Sequence, residues 1–80
     1  MDITINPRAP DSPSRQIAAW VRTQIQDGAI APGDPIPSVK EFRVATGCAA
    51  TTICRAVEQL RADGTVFTRR GRGTYAATRS

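Results

Sequence analysis

The stretch that decides the fold is residues 37–60, PSVKEFRVATGCAATTICRAVEQL. Ser38-Val39-Lys40-Glu41 has the form of a capping box: the Ser38 side chain can bond the amide of Glu41, and the Glu41 carboxylate can bond back to the amide of Ser38. A helix is therefore expected from 39 to about 46, with Phe42 and Ala45 turned inward. Gly47 breaks it, and Cys48 is the small apolar residue that fits beneath the turn. A further helix is expected to start at 49–51 and to run to about 63, where Gly64 supplies a terminator. Within it Ile53, Ala56, Val57 and Leu60 follow the i, i+3, i+4, i+7 spacing of one buried face. Thr51, Thr52, Arg55 and Gln59 then fall toward the opposite side. Helix, glycine turn and helix, with a polar outward face on the second, is a helix-turn-helix arrangement.

Upstream, residues 1–11 hold two prolines and little apolar material without periodicity, so they read as a flexible arm preceding a folded domain of residues 12–78. Ser12-Pro13 has the form of a helix start, a capping serine followed by proline at the first helical position. Ile17, Ala18, Val21 and Ile25 recur at helical spacing over about four turns, ending at Asp27-Gly28. Trp20 lies beside this stripe and is read as a packing or dimer-contact residue. Ala31-Pro32-Gly33-Asp34 carries the proline-glycine centre of a type II turn. Prolines at 32, 35 and 37 exclude a central strand and leave room for a short edge strand or an extended connector.

Downstream, Val66, Phe67 and Thr68 suit one strand, and Thr74 and Tyr75 suit another. Arg70-Gly71-Arg72-Gly73 between them reads as a glycine-rich hairpin tip with two arginines. Two strands and a basic loop directly after the outward-facing helix describe a wing. The expected fold is thus mainly α with a small β-hairpin wing (α+β): a winged helix-turn-helix of three helices and two or three short strands.

Size and composition narrow the function. Eighty residues make one domain with a modest core, which argues against an enzyme with a closed, water-excluding pocket. The chain has no histidine, the commonest general base and metal ligand. Cys48 and Cys54 are six residues apart with no second pair, which leaves no zinc site and reads as two buried or half-buried thiols in a reducing compartment. No apolar run approaches a membrane span and no signal peptide opens the chain, so a cytoplasmic location is expected, with no metal and no cofactor.

The net charge of +4 is unevenly placed. Residues 1–39 carry three arginines against four aspartates, whereas residues 40–80 carry eight cations against three acids. A basic half on a small domain points to a polyanion, usually nucleic acid.

The runs GAIAPGDPIPSVKEF and TGCAATTICRAVEQLRADGTVFTRRGRGTY resemble the N-terminal DNA-binding domain of the GntR family of bacterial transcription regulators, over roughly residues 14–77. The PGD turn, the PS opening the second helix, the TI within the third, LRADG and GRGTY stand in the family's places and order. The PSV form and Arg55 are most similar to the branch named after YtrA. The resemblance implies a winged helix-turn-helix that binds an inverted repeat in double-stranded DNA as a homodimer, with its recognition helix in the major groove. By motif position it implies contacts from Ser38 and Lys40, from Thr51, Thr52 and Arg55, and from Arg72 and Gly73. It also implies a C-terminal effector or dimerisation domain, which these residues do not reach, so no small-molecule effector is expected within this chain.

Departures from the family pattern carry their own expectations. Ala49 stands where serine or asparagine is usual and Ala50 where arginine or proline is, which weakens the cap of the recognition helix and removes a polar contact. Lys40 replaces an arginine and can neutralise a phosphate without offering a rigid fork. Arg43 stands at a usual alanine, and Thr46 at a usual leucine.

The mechanism expected is a division of labour. Lys40, Arg43, Arg69, Arg70 and Arg72 neutralise phosphates, which positions the domain without reading sequence. Arg55 is the foremost candidate for a base edge, with Thr51 and Thr52 offering hydroxyls and a methyl group. Two alternatives stay open at this point: an architectural DNA protein of the phage excisionase kind, and a winged helix that docks an acidic protein partner.

Overall fold

The computed structural model describes residues 2–77. Three helices precede a two-stranded antiparallel hairpin: α1 (Pro13–Gln26), α2 (Val39–Thr46), α3 (Ala50–Ala62), β1 (Val66–Arg69) and β2 (Gly73–Ala76).

The caps explain the helix boundaries. Ser12 accepts from the amide of Arg15 at 3.3 Å at the head of α1, and Pro13 opens the helix where an N–H would be unbonded in any case. At α2 both halves of the capping box form, each at 3.1 Å. Gly47 ends α2 in the left-handed conformation, φ 72°, which a side chain there would oppose. Thr46 tightens the same turn, donating to the Phe42 carbonyl at 2.7 Å and accepting from the Cys48 amide at 3.1 Å. A threonine in place of leucine thus serves the turn rather than the core. Ala49 heads α3 with no side-chain hydrogen bond, as the substitution of alanine at a capping position predicts.

One core joins these elements. Ile17, Ala18 and Val21 of α1 meet Ile53, Ala56 and Leu60 of α3, with Phe42 of α2 wedged among them, all fully buried. Trp20 packs its ring edge-on to Phe42, centroids 5.9 Å apart, which makes it a packing residue at the rim of this core. Val66 and Ala76, opposite each other in the hairpin, close the core from the wing side.

Residues 2–11 depart from the loose arm expected of them. Ile3 is only 7% exposed and belongs to the core cluster, and Ile5 packs against it. Gln16 of α1 clamps the segment, accepting from the Asn6 amide and donating to the Asn6 carbonyl, both at 2.8 Å. The reason is burial: one isoleucine with a site to fill outweighs the absence of a repeating pattern.

The connector before α2 is the edge segment that the prolines allow. Asp34 donates its amide to Ala31 at 2.9 Å and Gly33 has φ 86°, the geometry of a type II turn. The chain then pairs with β2 through Gly33 to Ala76, Ala76 to Asp34 and Ile36 to Thr74, at 2.8, 2.8 and 3.0 Å. Pro35 sits opposite Tyr75 at the position between those bonds, where no N–H is called for. This pairing ties the wing to the residues that lead directly into α2.

Candidate nucleic-acid interface

Three pieces of surface carry the expected site: the start of α2, the outward stripe of α3, and the wing. On α3, a rotation of about 100° per residue sets Thr51, Arg55, Glu58 and Ala62 opposite the buried Ile53, Ala56 and Leu60, and all four are exposed. Thr52 is half-buried and shares its flank with Gln59, seven residues on. Gln59 does not face outward as its spacing suggested, since its amide donates to the buried Ser14 of α1 at 3.3 Å. Thr51 and Arg55 therefore form the centre of the stripe, and Thr52 its edge on the α1 side.

Arg55 is free to act outward. Its neighbour Glu58 pairs with Arg61 at 2.8 Å, and Gln59 is held by Ser14, so neither occupies the guanidinium. At α2, Glu41 is engaged by the capping box, and Lys40 and Arg43 are exposed beside it. Ser38 offers its hydroxyl from the cap itself, having used an oxygen lone pair to accept from Glu41.

The wing tip is a tight turn. The Arg72 amide donates to the Arg69 carbonyl at 3.0 Å, and Gly71 takes φ 75° while no non-glycine residue among those described has positive φ, the pattern of a type II turn. Arg70, Arg72 and Gly73 are exposed. Arg69 lies at the end of β1 with its guanidinium 5.9 Å from the centre of the Phe67 ring, a cation–π contact that engages part of its charge within the wing. Phe67 in turn stacks on Tyr75, centroids 5.8 Å apart.

These pieces adjoin. Arg72 and Gly73 of the wing, Ser38 of the α2 cap, and Cys54 and Glu58 of α3 line one open cleft floored by residues 35–37. Cys54 is exposed at this edge rather than buried, while Cys48 is half-buried under the turn as expected. Sequence reasoning passed over three further surface features: Glu58 on the outward stripe, Val44 at 81% exposure between Lys40 and Gly47, and the hydroxyl of Tyr75. Helical spacing signals the first two, Glu58 three residues after Arg55 and Val44 four after Lys40; the last depends on turn geometry.

The ion pairs lie on α1 and the C-terminal half of α3. Arg15 pairs with Asp11 at 3.8 Å, and Arg22 pairs with Asp63, its Nε donating to Oδ2 at 3.1 Å. Slight burial works against the Asp63 carboxylate, yet hydrogen bonds from Thr65 and Arg22 outweigh it and hold the carboxyl below its ordinary value. Among the described residues, Lys40, Arg43, Arg55, Arg69, Arg70 and Arg72 have no carboxylate within 4.0 Å. The unpaired cations thus concentrate on α2, α3 and the wing.

Three helices, a glycine turn and a basic two-stranded wing define a winged helix-turn-helix domain. The family model of the bacterial regulatory proteins, gntR family, matches residues 13–76, which takes in every helix and strand. The chain belongs to this family.

Relatives agree with that placement. The chain is 34% identical over 73 residues to the HTH-type transcriptional repressor YtrA of Bacillus subtilis, covering 91% of this chain and 56% of YtrA. It is 32% identical over 74 residues to the HTH-type pyridoxine biosynthesis transcriptional regulator PdxR of Corynebacterium glutamicum, covering 92% of this chain and 16% of PdxR. It therefore spans about half of one relative and a small part of the other. Among solved structures, AraR(DBD) in complex with operator ORE1 superposes with a TM-score of 0.81 at 25% identity, covering 91% of this chain and 89% of that one.

Proposed function

We propose that this chain binds double-stranded DNA in a sequence-specific manner and represses transcription in the cytoplasm. One observation carries the reading: among the described residues the cations of α2, the α3 stripe and the wing lack carboxylate partners, while Arg72 shares a cleft with the start of α2 and the flank of α3. AraR(DBD), of the same fold, was solved on an operator, which supports the same partner here.

In this reading α3 enters the major groove. Arg55 reads a base edge, Thr51 offers a hydroxyl and a methyl group beside it, and Thr52 contributes from the edge of the stripe. Lys40, Arg43, Arg70 and Arg72 neutralise phosphates, with Ser38 donating from the α2 cap and Gly73 permitting close approach of the wing backbone. Arg69 adds its field while resting on Phe67. Two copies on an inverted repeat would place two such faces in successive turns of one duplex side.

Selection of bound sequences from a random duplex pool, followed by titration at several salt concentrations, tests this. Neutralising about five phosphates per copy gives a slope of log K against log salt of about −4 to −5 for each copy bound. The expected result is an enriched inverted repeat with that slope. A slope near zero, or a pool that stays random, would remove the proposal.

A further inference from the structure

Arg72 is the residue on which the wing's part in the proposed function chiefly rests, and its main chain is held at both ends. Its amide donates to the Arg69 carbonyl at 3.0 Å. Its carbonyl accepts the hydroxyl of Tyr75 at 2.7 Å. Its guanidinium, by contrast, is exposed and has no carboxylate within 4.0 Å among the described residues. On either side stand Gly71 and Gly73, with φ of 75° and 102°, the residue type that loses most freedom when it is fixed.

The tie is itself braced. Tyr75 is half-buried and stacks on Phe67, with ring planes inclined by 27°, and Phe67 carries the Arg69 guanidinium on its ring. Tyr75 also stands opposite Pro35 in the edge pairing, so both sides of its strand position are occupied. The phenol therefore has a fixed ring and one directed polar atom, and that atom reaches back three residues to the tip.

We propose that Tyr75 is a positioning residue for DNA binding, its hydroxyl holding the Arg72 backbone so that the Arg72 side chain meets phosphate without first ordering the glycine-flanked loop. This rests on the DNA reading above. The physical basis is preorganisation: a loop ordered before association loses less entropy on binding. A hydrogen bond of this neutral kind is worth about a three- to tenfold change in affinity.

Tyr75→Phe keeps the ring and removes only the tie. Affinity for the selected duplex should fall about three- to tenfold, and the thermal midpoint by no more than about 10 °C, since one hydrogen bond is lost while the ring stack remains. The salt slope should be unchanged, because no charge is lost. In an Arg72→Ala background the same change should cost less than about twofold, because the residue it acts through is gone. In the free protein, backbone order parameters at Gly71, Arg72 and Gly73 should drop in Tyr75→Phe.

Equal losses in both backgrounds, no loss in either, or unchanged order parameters at the tip would overturn the proposal. A failure of the unmodified chain to bind any duplex would sink the DNA reading, and the positioning role with it. The order parameters of the free protein would even then decide whether the tie itself rigidifies the tip.

Discussion

α1 and the wing are both arginine-bearing elements packed on one core, and they treat their polar groups in opposite ways. In α1 the polar side chains are spent inside the molecule: Gln16 clamps Asn6, Ser14 receives Gln59, Arg15 pairs with Asp11 and Arg22 with Asp63. In the wing, Arg70 and Arg72 reach no carboxylate among the described residues, and the internal bonds run through backbone and rings instead. The same residue type thus stabilises in one place and stays available in the other. What differs is the neighbour, an aspartate in reach on the α1 side and glycine beside Arg70 and Arg72 at the wing tip.

The largest expected effect tests what the two regions share. Phe42 is fully buried between α1, α2 and α3 and touches Trp20 edge-on. Phe42→Ala should cost about 3–5 kcal/mol, comparable to the whole stability of a small domain. Collapse of amide dispersion in its spectrum would show that both faces hang on this core; a folded, fully active variant would show that they do not.

The next effect separates readout from attraction within the exposed face. Arg55→Ala should remove about 1–3 kcal/mol of discrimination between the selected duplex and a scrambled one. Arg72→Ala should weaken both duplexes alike and make the salt slope about 1 shallower. Competition titrations measure both, and a uniform loss for Arg55→Ala would erase the distinction between reading and neutralising.

The smallest effect belongs to α1. The Arg22–Asp63 pair is about two-fifths exposed, both side chains at 39%, so it should contribute less than about 1 kcal/mol. Because the folded carboxyl lies below its ordinary value, that contribution is present above the unfolded pKa and is lost as pH falls through the folded one. Asp63→Asn should therefore lower the thermal midpoint slightly at neutral pH, with the gap closing in acid, and leave duplex affinity nearly unchanged. A gap that persists at low pH would mean that the pair is not its source.

The legible parts of the molecule were those set by neighbours in sequence. The capping box at Ser38, the break at Gly47 and the buried stripe of α3 are each written within a few residues, and each formed where its pattern stands. Ile3 escaped because two isoleucines ahead of a pair of prolines are too few to set a helical or strand pattern, and only the clamp from Gln16 reveals their seat. Gln59 escaped because it lies on the flank of α3, and which flank faces α1 is a matter of packing. The exposed site was legible as residue types and spacing. Its pairing was not: the carboxylates that neutralise Arg22 and Arg61 while sparing Arg55 are chosen by side-chain geometry.

The most direct measurement is a titration of isotopically labelled protein with the selected duplex, followed through its backbone amide signals. The account predicts that signals of Lys40, Thr51, Arg55, Gly71 and Arg72 move together at one stoichiometry, while those of Arg15, Ala19 and Arg22 on α1 stay in place. Shifts centred on α1, with the wing and the α3 stripe unmoved, would contradict it.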